Sequence, residues 1–137
     1  MTRINLLDPE LLTDQHLFSE FREIKMVPKA LGRSLQARGI EGIAKIIPPA
    51  YTLNKGHVSF FYDKGLYLER RYELLKTELR VRGIRFNEDS PFDPDRVYER
   101  HPSLYRDYEP TPEAIEIITE RLMQKIAMRP EWYRYTK

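Results

Sequence analysis

The chain contains no cysteine. That removes disulfides, thiolate-ligated zinc, iron–sulfur clusters and thiol nucleophiles from consideration. Histidine is scarce, and His16, His57 and His101 stand too far apart to suggest a metal-binding trio. No apolar run approaches the ~20 residues of a membrane span, and no basic-then-apolar leader reads as a signal peptide. Excess charge of one sign is also missing: 23 Lys and Arg face 21 Asp and Glu, a net +2 that is too weak alone to indicate a nucleic-acid partner. Nor is there a P-loop, a paired-carboxylate glycosidase signature or a Ser–His–Asp order. The expectation is a cytoplasmic protein that works without metal or cofactor.

What is present is enough for one folded domain, expected over residues 1–137. At 137 residues the chain can bury a single core. Its 41% hydrophobic and 32% charged residues are globular values rather than those of a disordered chain. The charge is unevenly distributed. Residues 22–45 hold six bases and two acids, a local +4, whereas residues 87–109 hold three bases and seven acids, a local −4. A basic face suits a polyanion and an acidic face elsewhere favours solubility; accidental clustering on a solvated surface fits the same numbers.

Three long segments carry helical period. In "LLTDQHLFSEFREIKMVPKALGRSLQARG", Thr13 or Asp14 can cap, and Leu17, Phe21, Ile24, Leu31 and Leu35 form the stripe. Pro28 is expected to kink or split this helix, because it removes a hydrogen bond and clashes with the preceding turn; Gly39 is a natural stop. In "DKGLYLERRYELLKTELRVRG", Asp63 reads as cap, Leu68, Tyr72, Leu75 and Leu79 recur, and Gly83 closes. In "TPEAIEIITERLMQKIAMRP", Thr111 caps, Pro112 opens the first turn, and Ile115, Ile118, Leu122 and Ile126 point to the core. "GIAKIIPPAYTLNKGHVSFF" reads as loop with a short extended piece, and the Pro-rich 87–110 as loop with one helical turn around 95–100. The predicted architecture is all-α: a compact domain of three main helices, the first kinked near Pro28, with long ordered loops.

Four features carry possible chemistry. On the first helix Ser19, Arg22, Glu23 and Met26 share a face away from the apolar stripe; they read either as solvated surface charges or as a carboxylate beside a cation at the edge of a groove. On the third helix Arg121, Lys125 and Arg129 recur every fourth residue, as a salt-bridged outer face or as a ridge that follows phosphates. The tail "RPEWYRYTK" interleaves aromatics with bases, which suits stacking and phosphate contact, although Trp132 could equally plug the core; His57, after a glycine, reads as structural. The fourth is the start, "MTRINL". A small residue after Met1 allows Met1 to be removed, leaving the α-amine of Thr2 beside Arg3. An α-amine titrates at about 7.7–8.0 and is the amine most available in neutral form near pH 7.

Four stretches, "MTRINL", "DQHLFSEFRE" at 14–23, "GHVSFFYDK" at 56–64 and "RLMQKIAMRPEWYRY" at 121–135, together resemble the phage pyrimidine-dimer DNA glycosylase, the phage endonuclease V family. They occur in the same order and at nearly the same spacing along the whole chain. The resemblance implies an all-α enzyme that excises cyclobutane pyrimidine dimers from ultraviolet-damaged double-stranded DNA and then nicks the abasic strand as an AP lyase. It implies Thr2 as nucleophile and Glu23 as catalytic carboxylate. Arg3 and Arg22 become phosphate-gripping residues, Arg121 and Lys125 the basic pair of the third helix, and His16 a neighbour of the active site. The family pattern has a further Arg three residues after the Glu, where this chain has Met26, with Lys25 next door as a substitute cation.

A monomer, free of membranes and associated with the nucleoid when bound, is the expected state. Two rival readings stay open on the sequence. One is a non-catalytic helical module that binds DNA or RNA. The other is the same amine chemistry on a different lesion, such as a ring-opened purine.

Overall fold

The computed structural model describes residues 3–136. Among them the regular structure is entirely helical: α1 (Asp14–Glu23), α2 (Met26–Ile46), α3 (His57–Phe60), α4 (Gly65–Val81), α5 (Val97–Arg100) and α6 (Pro112–Met128), with single 3₁₀ turns at Pro9–Leu11 and Pro102–Leu104. The expected all-α architecture holds, and its three long periodic segments become α1–α2, α4 and α6. Two one-turn helices join them. α5 falls in the expected 95–100 segment, whereas α3 stands where a short extended piece was expected.

The first segment breaks where its proline demands. Pro28 has no N–H to give the carbonyl of Ile24, and that oxygen instead accepts from the N–H of Val27 at 3.2 Å. The turn tightens and α2 restarts at Met26, which leaves Pro28 inside its first turn, where no donor is needed. Gly39, at φ 72° and ψ 172°, interrupts α2. A Cβ there would meet nothing within 4 Å, so the backbone conformation, not space, calls for glycine. The first stretch of helix stops there as expected, and helix resumes beyond it over residues 40–46.

Caps define the other ends. Thr13 and Thr111 accept from the N–H groups of His16 and Ala114. The expected Asp63 cap does not form: Asp63 pairs with Lys64 at 2.8 Å, and α4 begins at Gly65 with Lys64 at the capping position. Gly65 starts the helix hard against Tyr98, whose ring would lie 2.5 Å from any Cβ at that position.

The core gathers Leu17, Phe21 and Ile24 of α1, Leu31 of α2, Leu68, Tyr72, Leu75 and Leu79 of α4, and Ile118 and Leu122 of α6. Phe21 stacks on Tyr72 at 5.3 Å, joining α1 to α4. Two buried charge clusters complete the contact. Arg71 makes a two-pronged pair with Glu20, its Nη2 donating to Oε1 at 3.0 Å. At the far end of α4, Arg82 reaches Asp14 at 3.0 Å, Glu78 at 2.8 Å and the carbonyls of Pro9 and Glu10. Each cluster is fully paired, as buried charge requires.

These clusters seat the start of the chain across the helices. Residues 3–7 form no regular element, yet Ile4, Asn5 and Leu6 are buried. Glu20 accepts from both the backbone and the side-chain amide of Asn5, at 3.2 and 2.8 Å, and Arg71 donates to the carbonyl of Leu7 at 2.9 Å. Leu6 between them has φ 59°, a left-handed conformation that costs a β-carbon residue about 1–2 kcal/mol and is held by these flanking bonds.

Candidate active site

The N-terminal strap brings Arg3 to the junction of two cavities. The smaller, of about 40 Å³, is walled by Arg3, Ile4, Glu23, Met26, His57 and Val58, among others. The larger, of about 240 Å³, is walled by Arg3, Asn5, Gln15, His16, Ser19, Arg121, Lys125, Trp132 and Tyr133, among others. Arg3 also donates from Nε to the carbonyl of Leu53 at 2.9 Å, which ties the strap to the loop before α3.

The face of α1 that the spacing singled out divides between the two. Ser19 looks into the larger cleft, while Glu23 and the half-exposed Met26 line the smaller. The apolar thioether of Met26 thus occupies cavity wall where the resemblance leads one to expect a guanidinium. Arg22 is exposed, with its guanidinium 6.0 Å over the ring of Phe18. Lys25 turns the other way: Nζ donates to Ser90 Oγ at 2.7 Å and lies 5.2 Å over Phe21. Burial, then Lys29 and Arg22, lower its pKa. Neither Arg22 nor Lys25 lines either cavity.

The larger cleft is strongly cationic. Burial, and then the nearby Arg3, push the guanidinium of Arg121 below its ordinary value. His16 is held neutral, at about 4, by burial and then by Arg121 and Lys125. Its ring is fixed by Thr13 Oγ1, 2.8 Å from Nδ1, and by stacking on Tyr133 at 4.7 Å and 14°. An anion entering here would meet several positive groups converging from the strap and α6 in a partly desolvated space, where charge interactions are stronger than in bulk water.

The aromatic tail forms the other wall rather than a core plug. Trp132 is 44% exposed, packs edge-on against Tyr133 at 4.9 Å, and carries Arg129 at 4.9 Å over its ring. The tail is docked through its backbone. Gln15 donates to the carbonyl of Trp132 at 2.6 Å and accepts from Arg134 N–H at 3.0 Å, and the N–H of Asp14 bonds the carbonyl of Arg134 at 2.7 Å. These bonds hold the exposed aromatics beside His16, Arg121 and Lys125.

A family model for pyrimidine dimer DNA glycosylases matches residues 1–92. The chain belongs to the pyrimidine dimer DNA glycosylase family. The match runs from the strap through α4 and includes Arg3, His16, Arg22, Glu23 and Lys25, and also Thr2, which lies outside the described residues. Arg121, Lys125 and the aromatic tail fall beyond the match, and it is the docking of α6 and of the tail that brings them to Arg3. Among the described residues no group of three or more His, Asp and Glu side chains is arranged to hold a metal ion, and no helix is long and apolar enough to cross a membrane.

Sequence reasoning overlooked four residues that hold the strap or the tail in place: Glu20, Arg71, Tyr51, whose Oη donates to the carbonyl of Ile4 at 2.8 Å, and Gln15. For two of them a signal existed. Glu20 falls on the Leu17–Phe21–Ile24 stripe and Arg71 on the Leu68–Tyr72–Leu75 stripe, and opposite charges at core positions of two helices announce a buried pair. Tyr51 and Gln15 carry no such pattern, because their partners are backbone groups brought near only by the fold.

Proposed function

We propose that the protein excises cyclobutane pyrimidine dimers from double-stranded DNA and then nicks the abasic strand, using the α-amine of Thr2 as nucleophile and Glu23 as catalytic carboxylate. The observation that carries this reading is Arg3. It is the neighbour of Thr2 in the chain, and it lies where the cavity of Glu23 meets the cationic cleft.

In the proposed reaction the neutral amine attacks C1′ of the 5′ nucleotide of the dimer. The C1′–N bond breaks, and its electron pair leaves with the base. The new ammonium loses a proton, the C1′–O4′ bond breaks with its electron pair going to O4′, which takes up a proton, and an iminium is left between nitrogen and C1′. Positive charge develops at C1′ in the first step and on the iminium in the second, and a carboxylate at Glu23 stabilises both. Removal of a C2′ proton, assisted by the same carboxylate, moves electrons toward the iminium and expels the 3′ phosphate by β-elimination. Water then releases the amine. Arg3 disfavours protonation of its neighbouring amine, while Arg121 and Lys125 hold the flanking phosphates. Reaching C1′ requires distortion of the duplex, which costs least at a damaged, weakly paired step.

Borohydride trapping on a panel of duplexes tests this reading. The panel holds a thymine dimer, a ring-opened purine and no lesion. The expected result is a covalent adduct on the dimer duplex, with Glu23→Gln still binding that duplex but no longer cleaving it. Full cleavage by Glu23→Gln removes Glu23 from its role. Trapping only on the purine lesion reassigns the substrate, and salt-sensitive binding without any adduct identifies a binding module.

A further inference from the structure

The backbone of Ile4 is gripped by two side chains from outside its own segment. Its N–H donates to His57 Nε2 at 2.9 Å, and its carbonyl accepts from Tyr51 Oη at 2.8 Å. The tautomer of His57 is thereby fixed: Nε2 accepts, so the ring proton sits on Nδ1, which donates to the carbonyl of Thr52 at 2.8 Å. The imidazole is buried and wedged edge-on against Tyr51 at 5.4 Å and Phe61 at 5.5 Å. Tyr51 is buried with it. Chain starts ordinarily fray unless something ties them down. Here both backbone polar groups of one residue, two positions after the proposed nucleophile, are satisfied by buried side chains. The same loop takes Arg3 as well, through the carbonyl of Leu53.

We propose that His57 and Tyr51 are positioning residues: they hold the Ile4 backbone, and through it they anchor the start of the chain for the reaction proposed for Thr2. The proposal rests on the reading of Thr2 as nucleophile. Neither side chain needs to touch the reacting atoms. His57 and Glu23 both wall the small cavity, so the group that fixes the strap and the carboxylate proposed to serve the reaction share one space. A covalent step is sensitive to such anchoring, because reacting atoms must meet at about 3–3.5 Å in line and a misplacement of about 1 Å can cost ~10²-fold in rate. A His57 that merely fills the core would be replaceable by any ring of similar size.

The test measures two quantities on the full chain with Met1 removed. One is the single-turnover rate of borohydride trapping on dimer-containing duplex, and the other is equilibrium binding to a duplex carrying a tetrahydrofuran abasic analogue. His57→Phe keeps the ring packing and deletes the acceptor, Tyr51→Phe deletes one oxygen, and His57→Gln keeps an acceptor for the Ile4 N–H. The expected result is unchanged binding with trapping slowed by ~10²-fold in His57→Phe, a smaller loss in Tyr51→Phe, and partial rescue in His57→Gln. Should His57→Phe fail to unfold cooperatively, Tyr51→Phe carries the comparison. Wild-type trapping rates in both Phe variants overturn the clamp, as does a loss of binding in proportion to trapping. An absent adduct with the unsubstituted enzyme overturns the Thr2 reading, and the clamp with it.

Discussion

His16 and His57 are both kept neutral, yet they stand in different surroundings. His57 is lowered to about 4 first by burial; its bond to Thr52 opposes the shift, and the charges of Arg3 and Arg121 add to it. His16 is lowered to about 4 by burial and by the cations of the cleft. An imidazole in an unfolded chain titrates near 6.5. Between that value and about 4 the unfolded chain therefore binds more protons than the folded one, and acid favours unfolding; above 6.5 neither group contributes a slope. The expected outcome is a lower Tm at pH 5 than at pH 7, with a smaller drop in His57→Gln. A drop of equal size in both proteins would show that His57 adds nothing to it. At this scale the sequence was half legible. His57 read as structural, and it is, but neither its bond to Ile4 nor the partner of Tyr51 could be read from spacing, since both cross about fifty residues of chain.

At the scale of elements, local rules settled most of the helix ends. Thr13, Thr111, Pro112 and Gly83 stand where capping chemistry puts them, and Pro28 splits the first segment for the reason its missing N–H predicts. The failures are non-local. Asp63 has the right chemistry for a cap, but it is taken up by Lys64, and the chain must continue to Gly65 before it can turn beneath Tyr98. The residues of α3 have strand-like composition, and the packing of His57 against Tyr51 and of Phe60 against Tyr51 and Tyr108 selects a single helical turn instead. The contact at Gly65 gives a direct check. Gly65→Ala forces a Cβ against a buried ring and is expected to destabilise the fold by about 1–3 kcal/mol, read from urea unfolding. An unchanged midpoint would mean that Tyr98 can give way freely.

Across the whole molecule the fold sorts charge more sharply than the sequence did. The basic ridge of α6 was legible as a pattern, but which part of it faces a site depends on packing. Arg121 and Lys125 enter the cleft, whereas Arg129 sits on Trp132. Lys25, a candidate as the substitute cation next to Met26, is turned toward Ser90. If Arg121 and Lys125 hold phosphates, Lys125→Ala is expected to weaken binding to damaged and undamaged DNA alike and to reduce the slope of log K against log salt by about 1. Lys25→Ala should leave that slope nearly unchanged. Equal effects of the two substitutions would argue against the cleft as the DNA-binding surface. The family was legible at sequence level, because its motifs are local strings of residues. The geometry that joins the strap, α1, α6 and the tail was not, because helical period says nothing about which helices meet.

The central claim is that the amine of Thr2 does the chemistry, and peptide mapping of the trapped adduct tests it most directly. Reaction with dimer-containing duplex under borohydride, nuclease trimming, tryptic digestion and mass spectrometry should place the sugar remnant on the N-terminal peptide that begins with Thr2. Protein that retains Met1 should give sharply less adduct. A remnant on a lysine, with trapping unaffected by Met1, would contradict the account.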